Sequence, residues 1–156
     1  MAEMTSITTR LRSQRGAELI EFALIFPLLL LLMLGIVDFG FMFQRFEVLT
    51  NATREGARLA VLPGYDDPAN VTARVCNYLA AGGVPTTSCG TTNPVIAVTN
   101  TTLAMGGGAA PLQMKRVAVT YTHAYMFVGP IISLIGGGTF NTNVPITTVA
   151  VMRKEL

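Results

Sequence analysis

Near the start of the chain, a basic segment that ends in glycine directly precedes an apolar segment. Arg15 and Gly16 come first, Ala17 follows, and Glu21 lies four residues further on. A carboxylate at the start of an apolar span costs a few kcal/mol on insertion scales, so Glu21 persists most readily if it finds a cationic partner. A cut after Gly16 would create one, because Ala17 would then carry a protonated α-amino group. These residues could therefore support peptide-bond cleavage at Gly16 and an ion pair at Glu21.

Two roles remain open for Glu21. In a helical stack, the α-amino group of a neighbouring subunit could approach Glu21 and set the axial register between subunits. In a simple membrane anchor, Glu18 and Glu21 would only favour the positive end of the helix dipole and extend to the lipid headgroups. The residue types alone do not decide between these roles.

Catalytic chemistry has little support elsewhere in the chain. His123 is the sole histidine and lies beside a strand-like run, so we interpret it as a packed or surface residue. Asp66 and Asp67 lie in a predicted turn, which indicates a solvated loop rather than a paired-carboxylate site. Two cysteines and one distant histidine cannot build a closed zinc site. We therefore expect no enzyme activity, no metal and no cofactor.

The two cysteines, Cys76 and Cys89, both follow the apolar segment. If this part of the chain is exported, the compartment is oxidising and a disulfide is expected. The bridge would close a loop of about a dozen residues and contribute roughly 3 kcal/mol in the chain-entropy model. The alternative is a pair of free buried thiols.

The apolar content is 51% and the charged content only 13%, and the excess is concentrated in one segment. Residues 22–37 contain no charge, Asp38 interrupts, and the apolar run resumes to Phe43. The segment 22–43 is long enough to cross a bilayer, which needs about 20 residues. Asp38 marks either the exported membrane interface or a contact between subunits. The predicted span is defined by Phe22, Pro27, Leu30, Val37, Asp38 and Phe43, and Pro27 is expected to kink or loosen it.

Charge is distributed unevenly along the chain. The net charge is +2, but Arg10, Arg12 and Arg15 all precede the apolar segment, and basic and acidic residues balance from Ala17 onward. The neutral body argues against nucleic-acid binding, which needs a basic surface. The basic head predicts a cytoplasmic N-terminus under the positive-inside rule, with the C-terminal part exported.

The periodicity predicts three parts: a flexible cytoplasmic leader (1–16), a long helix (17–62) and an exported domain (63–156). Beyond Phe43 the helix becomes amphipathic, with an apolar side that we expect to pack on its own domain. That side comprises Phe46, Leu49, Thr53, Gly56, Ala57 and Ala60, and the polar side comprises Gln44, Glu47, Asn51, Arg54, Glu55 and Arg58. Glu55 could pair with Arg58 one turn on.

The exported domain is predicted to be α+β. A short helix with Asn70 as its candidate cap precedes three strand-like segments, at 95–98, 114–126 and 144–152. The apolar segment 127–135 contains Gly129 and Pro130, which favours a short helix or a docked loop. The predicted architecture is a long helix followed by a small antiparallel β-sheet.

Several motifs at fixed spacing together resemble the TadE-like family, the minor pilins or pseudopilins of the tight-adherence (Flp) type IV pilus system. The N-terminal motifs are Arg15-Gly16-Ala17, Glu21-Phe22-Ala23-Leu24, Pro27-Leu28-Leu29-Leu30, Gly35-Ile36-Val37-Asp38-Phe39-Gly40 and Thr50-Asn51-Ala52-Thr53-Arg54-Glu55-Gly56-Ala57-Arg58. The tail is also similar, at Val117-Ala118-Val119-Thr120-Tyr121 and Val151-Met152-Arg153-Lys154-Glu155. Residues 63–113 carry no resemblance.

This resemblance implies a single-pass protein of the inner (plasma) membrane that takes part in pilus biogenesis. A prepilin peptidase would remove the leader between Gly16 and Ala17, and Ala17, Glu21 and Phe22 would form the subunit-assembly site. The implied partners are the membrane, this peptidase, other pilin or minor pilin subunits and the pilus assembly platform.

A cleaved secretory signal fits poorly, because bulky residues follow Val37 where a small-x-small site is needed.

A second function class remains open: a signal-anchored exported domain with an adhesive or binding role, outside any pilus. Its threonine-rich loops would suit such a role. That protein would need no cut after Gly16 and no use for Glu21.

Overall fold

The computed structural model describes residues 3–107, 110–131 and 143–154, with side chains from Gly16 onward. Helix α1 (Glu3–Ala60) is followed by helix α2 (Pro68–Ala81) and by strands β1 (Val95–Leu103), β2 (Leu112–Ala124) and β3 (Asn143–Arg153). Residues 128–131 are also helical. A long apolar helix followed by a small antiparallel sheet confirms the predicted α+β architecture.

Helix α1 begins at Glu3, whereas the sequence predicted a flexible leader and a helix from Ala17. The prediction of a flexible segment was therefore wrong for residues 3–15. It relied on the lack of apolar periodicity before Gly16, but polar residues can also form a helix, and one glycine costs a helix only about 1 kcal/mol relative to alanine. Pro27 also lies inside the helix without ending it.

The second half of α1 packs on the domain through small residues, as predicted. Its buried side chains are Leu49, Ala52, Thr53, Ala57 and Ala60. Phe46 was predicted on this side but is 47% exposed. At Gly56 an added Cβ would collide with Val75 of α2 and touch Val117 of β2. Glycine therefore allows α1 to approach both neighbours closely.

Helix α2 covers the other side of the core. Asp67, rather than the predicted Asn70, caps it by accepting a hydrogen bond from the Ala69 N–H, and Pro68 occupies the first turn. The predicted disulfide between Cys76 and Cys89 is present and ties α2 to the loop before β1. Glu55 pairs with Arg74 of α2 at 2.7 Å, instead of with Arg58.

The three strands form one antiparallel sheet in the order β1-β2-β3. Alternation in β2 places Val117, Val119 and Tyr121 in the core, and alternation in β3 does the same for Ile146 and Thr148. Thr148 hydrogen-bonds Thr53 of α1 at 2.6 Å between the two hydroxyl oxygens. The inward faces match the predicted alternation, while β1 extends five residues past its predicted end.

Candidate functional site

The first half of α1 carries large apolar side chains that no other part of the described chain covers. The exposed residues include Leu19, Ile20, Phe22, Leu24, Ile25, Phe26, Leu28, Leu29, Leu30, Leu32, Met33, Ile36 and Val37. The helix from Gly16 to Ala60 is long and apolar enough to cross a membrane, and its most apolar window has no side chain buried within the protein. One such helix fits a single-pass membrane anchor.

The predicted cleavage and assembly residues lie on this exposed surface. Gly16 is inside the helix, with open space where a side chain would be. Ala17, Glu21 and Phe22 are exposed, and the Phe22 ring stacks on Phe26 with centroids 5.3 Å apart. Among the described side chains, none forms an ion pair or hydrogen bond with Glu21. The structure therefore leaves these residues available to a membrane or to another subunit.

Asp38, in the same helix, has the opposite environment. Its side chain is 1% exposed. Its carboxylate accepts three backbone hydrogen bonds, from the N–H groups of Met126 (3.2 Å), Phe127 (2.9 Å) and Val128 (2.8 Å). These N–H groups lie at the start of the helical segment 128–131, where backbone donors have no partner within the helix. Asp38 therefore caps this segment from outside and fixes it to α1.

Above Asp38, aromatic and polar side chains fill the junction between α1 and β2. Tyr125 packs edge-on against Phe39, with ring centroids 6.0 Å apart, and its hydroxyl donates to the sulfur of Met42 at 3.5 Å. One helical turn further, the guanidinium of Arg45 lies 5.5 Å from the ring centroid of Tyr121. This geometry fits a cation–π contact.

His123 is buried in the same junction, 5% exposed, and packs edge-on against Tyr125. Burial lowers the pKa of His123, and the charge of Arg45 lowers it further, while Asp38 opposes both effects. The Nε2 of His123 and one Nη of Arg45 are buried without a hydrogen-bond partner in the described structure. The sequence-based interpretation of His123 as a packed residue is confirmed.

The predicted span residues fall into two groups in the structure. Phe22, Leu30, Val37 and Phe43 expose their side chains to the surroundings, and Pro27 is exposed with them. Asp38 is covered by the domain. Sequence reasoning identified Asp38 as a boundary residue but missed its contact with residues 126–128. No local signal reveals that contact, because its donors are backbone groups 88 to 90 residues away.

Asp66 is held at the far end of the domain. Its carboxylate lies 3.1 Å from Nζ of Lys154 and 3.7 Å from Nζ of Lys115. The hydrogen bond and charge of Lys154 lower the pKa of Asp66. The predicted solvated turn is thus a half-exposed ion-pair site that joins the end of α1 to the last strand.

Comparison with known protein families gives a match for part of the chain. The family model of TadE-like proteins matches residues 16–58, which cover α1 from Gly16 almost to its end and stop before the sheet domain. No curated protein and no solved structure matches the chain. The match confirms the resemblance carried by the N-terminal motifs: residues 16–58 are similar to TadE-like proteins.

Proposed function

We propose that this chain is a minor pilin or pseudopilin-like subunit of the tight-adherence (Flp) pilus system. The first half of α1 anchors it in the inner membrane with the N-terminus in the cytoplasm and the sheet domain exported. A prepilin peptidase removes the leader after Gly16, and the new N-terminus then takes part in assembly. The chain acts by association with other subunits and performs no catalysis of its own.

The observation that carries this proposal is the contrast between two acidic residues of one apolar helix. Asp38 finds its donors within the chain. Glu21 is exposed among apolar side chains and has no partner among the described ones. Because a carboxylate in an apolar environment is costly, Glu21 needs a partner from outside the chain. The α-amino group of Ala17 from a neighbouring subunit supplies the matching charge.

Substitutions of Glu21 test the proposal, with Glu18→Gln as the matched control one turn earlier on the same exposed surface. Glu21→Ala and Glu21→Gln should still be inserted and cut after Gly16. Both should lose crosslinks to the other pilus subunits by at least about tenfold. Each variant leaves the α-amino group of Ala17 without its partner, and an unpaired buried charge costs several kcal/mol. Each 1.4 kcal/mol changes the association constant by about a factor of ten. Glu18→Gln should crosslink as the wild type does.

Two results would count against the proposal. Equal crosslinking of wild type and both Glu21 variants would show that assembly does not depend on the ion pair. Apolar packing would then have to hold the subunits together. An intact leader together with an absence of crosslinks in the wild type would favour the signal-anchored binding domain.

A further inference from the structure

Strand β2 runs antiparallel to helix α1, so later residues of β2 contact earlier residues of α1. Contacts from α1 to β2 and to the residues after it join Asp38 to Met126, Met42 to Tyr125, Arg45 to Tyr121 and Gly56 to Val117. From position 38 to position 56 the helix rises about 27 Å. The end of β2 at Ala124 therefore lies nearest the exposed apolar half of α1, and the start of β2 at Leu112 lies furthest from it.

Charge in the domain follows the same direction. Residues 117–152 contain no Lys, Arg, Asp or Glu. The charged residues of the strands, Lys115, Arg116 and Arg153, all lie toward the far end, and Lys154 and Asp66 form their ion pair there. The end of the sheet that faces the apolar half of α1 can thus approach a low-dielectric medium without burying a strand charge.

Residues 125–131 follow the near end of β2, and the carboxylate of Asp38 fixes them at one level on the helix. Met126 is 64% exposed, and Phe39, which packs on Tyr125, is also exposed. The predicted span 22–43 would put Asp38, which the domain covers, inside the bilayer. The helix from Ala17 to Val37 ends before Asp38 and has 21 residues and a length of about 31 Å, close to the thickness of the hydrocarbon core. A bilayer that covers Ala17–Val37 therefore ends where the 125–131 segment begins.

We propose that the 125–131 segment rests on the lipid surface as a second membrane contact, with Met126 inserted at the headgroup level. Asp38 then holds the segment at the exported boundary of the span and thereby sets how deep the anchor lies. This inference depends on the proposed membrane anchor, since the segment reaches lipid only if the first half of α1 spans the bilayer. Its partner is lipid, and not a second protein chain.

The chain contains no tryptophan, so single tryptophans report their own surroundings. Three exposed positions serve: Met126→Trp for the segment, Leu29→Trp for the middle of the span and Leu103→Trp for the far end of the sheet. Leu103 pairs with Leu112, twelve residues along β2 from Ala124 and thus about 40 Å away. Each full-length variant would be placed in phosphatidylcholine–phosphatidylglycerol vesicles with doxyl lipids that carry the quencher at the headgroup end or near the bilayer centre.

Met126→Trp should be quenched several-fold more by the headgroup-end doxyl lipid than Leu103→Trp, and Leu29→Trp most by the bilayer-centre doxyl lipid. Strong quenching of Leu29→Trp with equal, weak quenching of Met126→Trp and Leu103→Trp would overturn the lipid contact alone, including the case in which a second copy of the chain covers the segment. Weak quenching of all three would overturn the membrane anchor and the inference together.

Discussion

The two halves of helix α1 differ in what surrounds them. In residues 17–37 every large apolar side chain is at least partly exposed, whereas in residues 38–60 a stripe of small residues is buried against α2 and the sheet. Backbone hydrogen bonding is the same in both halves, so the difference lies in the side chains. Large apolar residues suit a lipid environment, and Gly56, Ala57 and Ala60 suit close approach to other elements of the same chain.

The acidic residues follow this division. Asp38, at the first position of the packed half, is buried and fully hydrogen-bonded. Glu21, near the start of the exposed half, is open to the surroundings. The comparison indicates that the packed half stabilises the domain and that the exposed half requires an external environment. Substitutions in each half should therefore have effects of different kind and size.

The largest effect on the domain is expected for Asp38→Ala. This change leaves the N–H groups of Met126, Phe127 and Val128 without their acceptor, and it should destabilise the 125–131 segment by about 2–4 kcal/mol. Hydrogen exchange of a peptide covering this segment would accelerate strongly. Asp38→Asn is the matched control, because its amide oxygen still accepts and it should lose less. Unchanged exchange in Asp38→Ala would contradict the capping role.

A smaller effect is expected for Gly56→Ala. The new methyl group collides with Val75, so unfolding of the domain in denaturant should require about 1–3 kcal/mol less. The control is Gly40→Ala, where a Cβ meets only open space and alanine favours the helix by up to about 1 kcal/mol. The free energy of unfolding should thus fall in Gly56→Ala and rise in Gly40→Ala. An unchanged free energy of unfolding in Gly56→Ala would show that α1 does not pack closely at this point.

The smallest effect is expected from pH. Because burial and Arg45 hold the pKa of His123 below its ordinary value of 6.5, the unfolded chain binds a proton at a higher pH than the folded chain. Domain stability should therefore fall as the pH falls through 6.5 toward the pKa of the folded state. Asp66 does not interfere, because the stability that its lowered pKa contributes is lost only as the pH falls to around 3.8, its ordinary value, and below. The denaturant concentration at the unfolding midpoint should decline in wild type as the pH falls from about 7.5 to about 5.5. It should change less in His123→Gln.

Sequence patterns predicted the parts of this molecule that depend on local periodicity. The inward faces of β2 and β3, the packed stripe around Gly56 and the Cys76–Cys89 bridge all follow from spacing or composition. The patterns did not predict contacts between distant backbone and side-chain groups, such as Asp38 with residues 126–128 or Glu55 with Arg74. Those partners depend on how the elements pack, which the residues next to Asp38 and Glu55 do not encode.

The start of α1 and the cap of α2 were missed for a different reason. The predicted leader relied on the lack of apolar periodicity before Gly16. The predicted cap relied on the residue type of Asn70, which is weak evidence when a neighbour competes. Asp67 followed by Pro68 forms a stronger start signal than Asn70. Gly16 carries only a small helix penalty between residues that favour a helix. Local preferences at helix ends therefore gave less reliable boundaries than the long apolar periodicity.

The proposed function requires the exposed half of α1 to be the mature N-terminus of an assembling subunit. Intact mass spectrometry with N-terminal sequencing, on protein extracted from native membranes that contain the prepilin peptidase, measures this directly. We expect a chain that begins at Ala17. Recovery of a chain that still begins at Met1 from those membranes would contradict it.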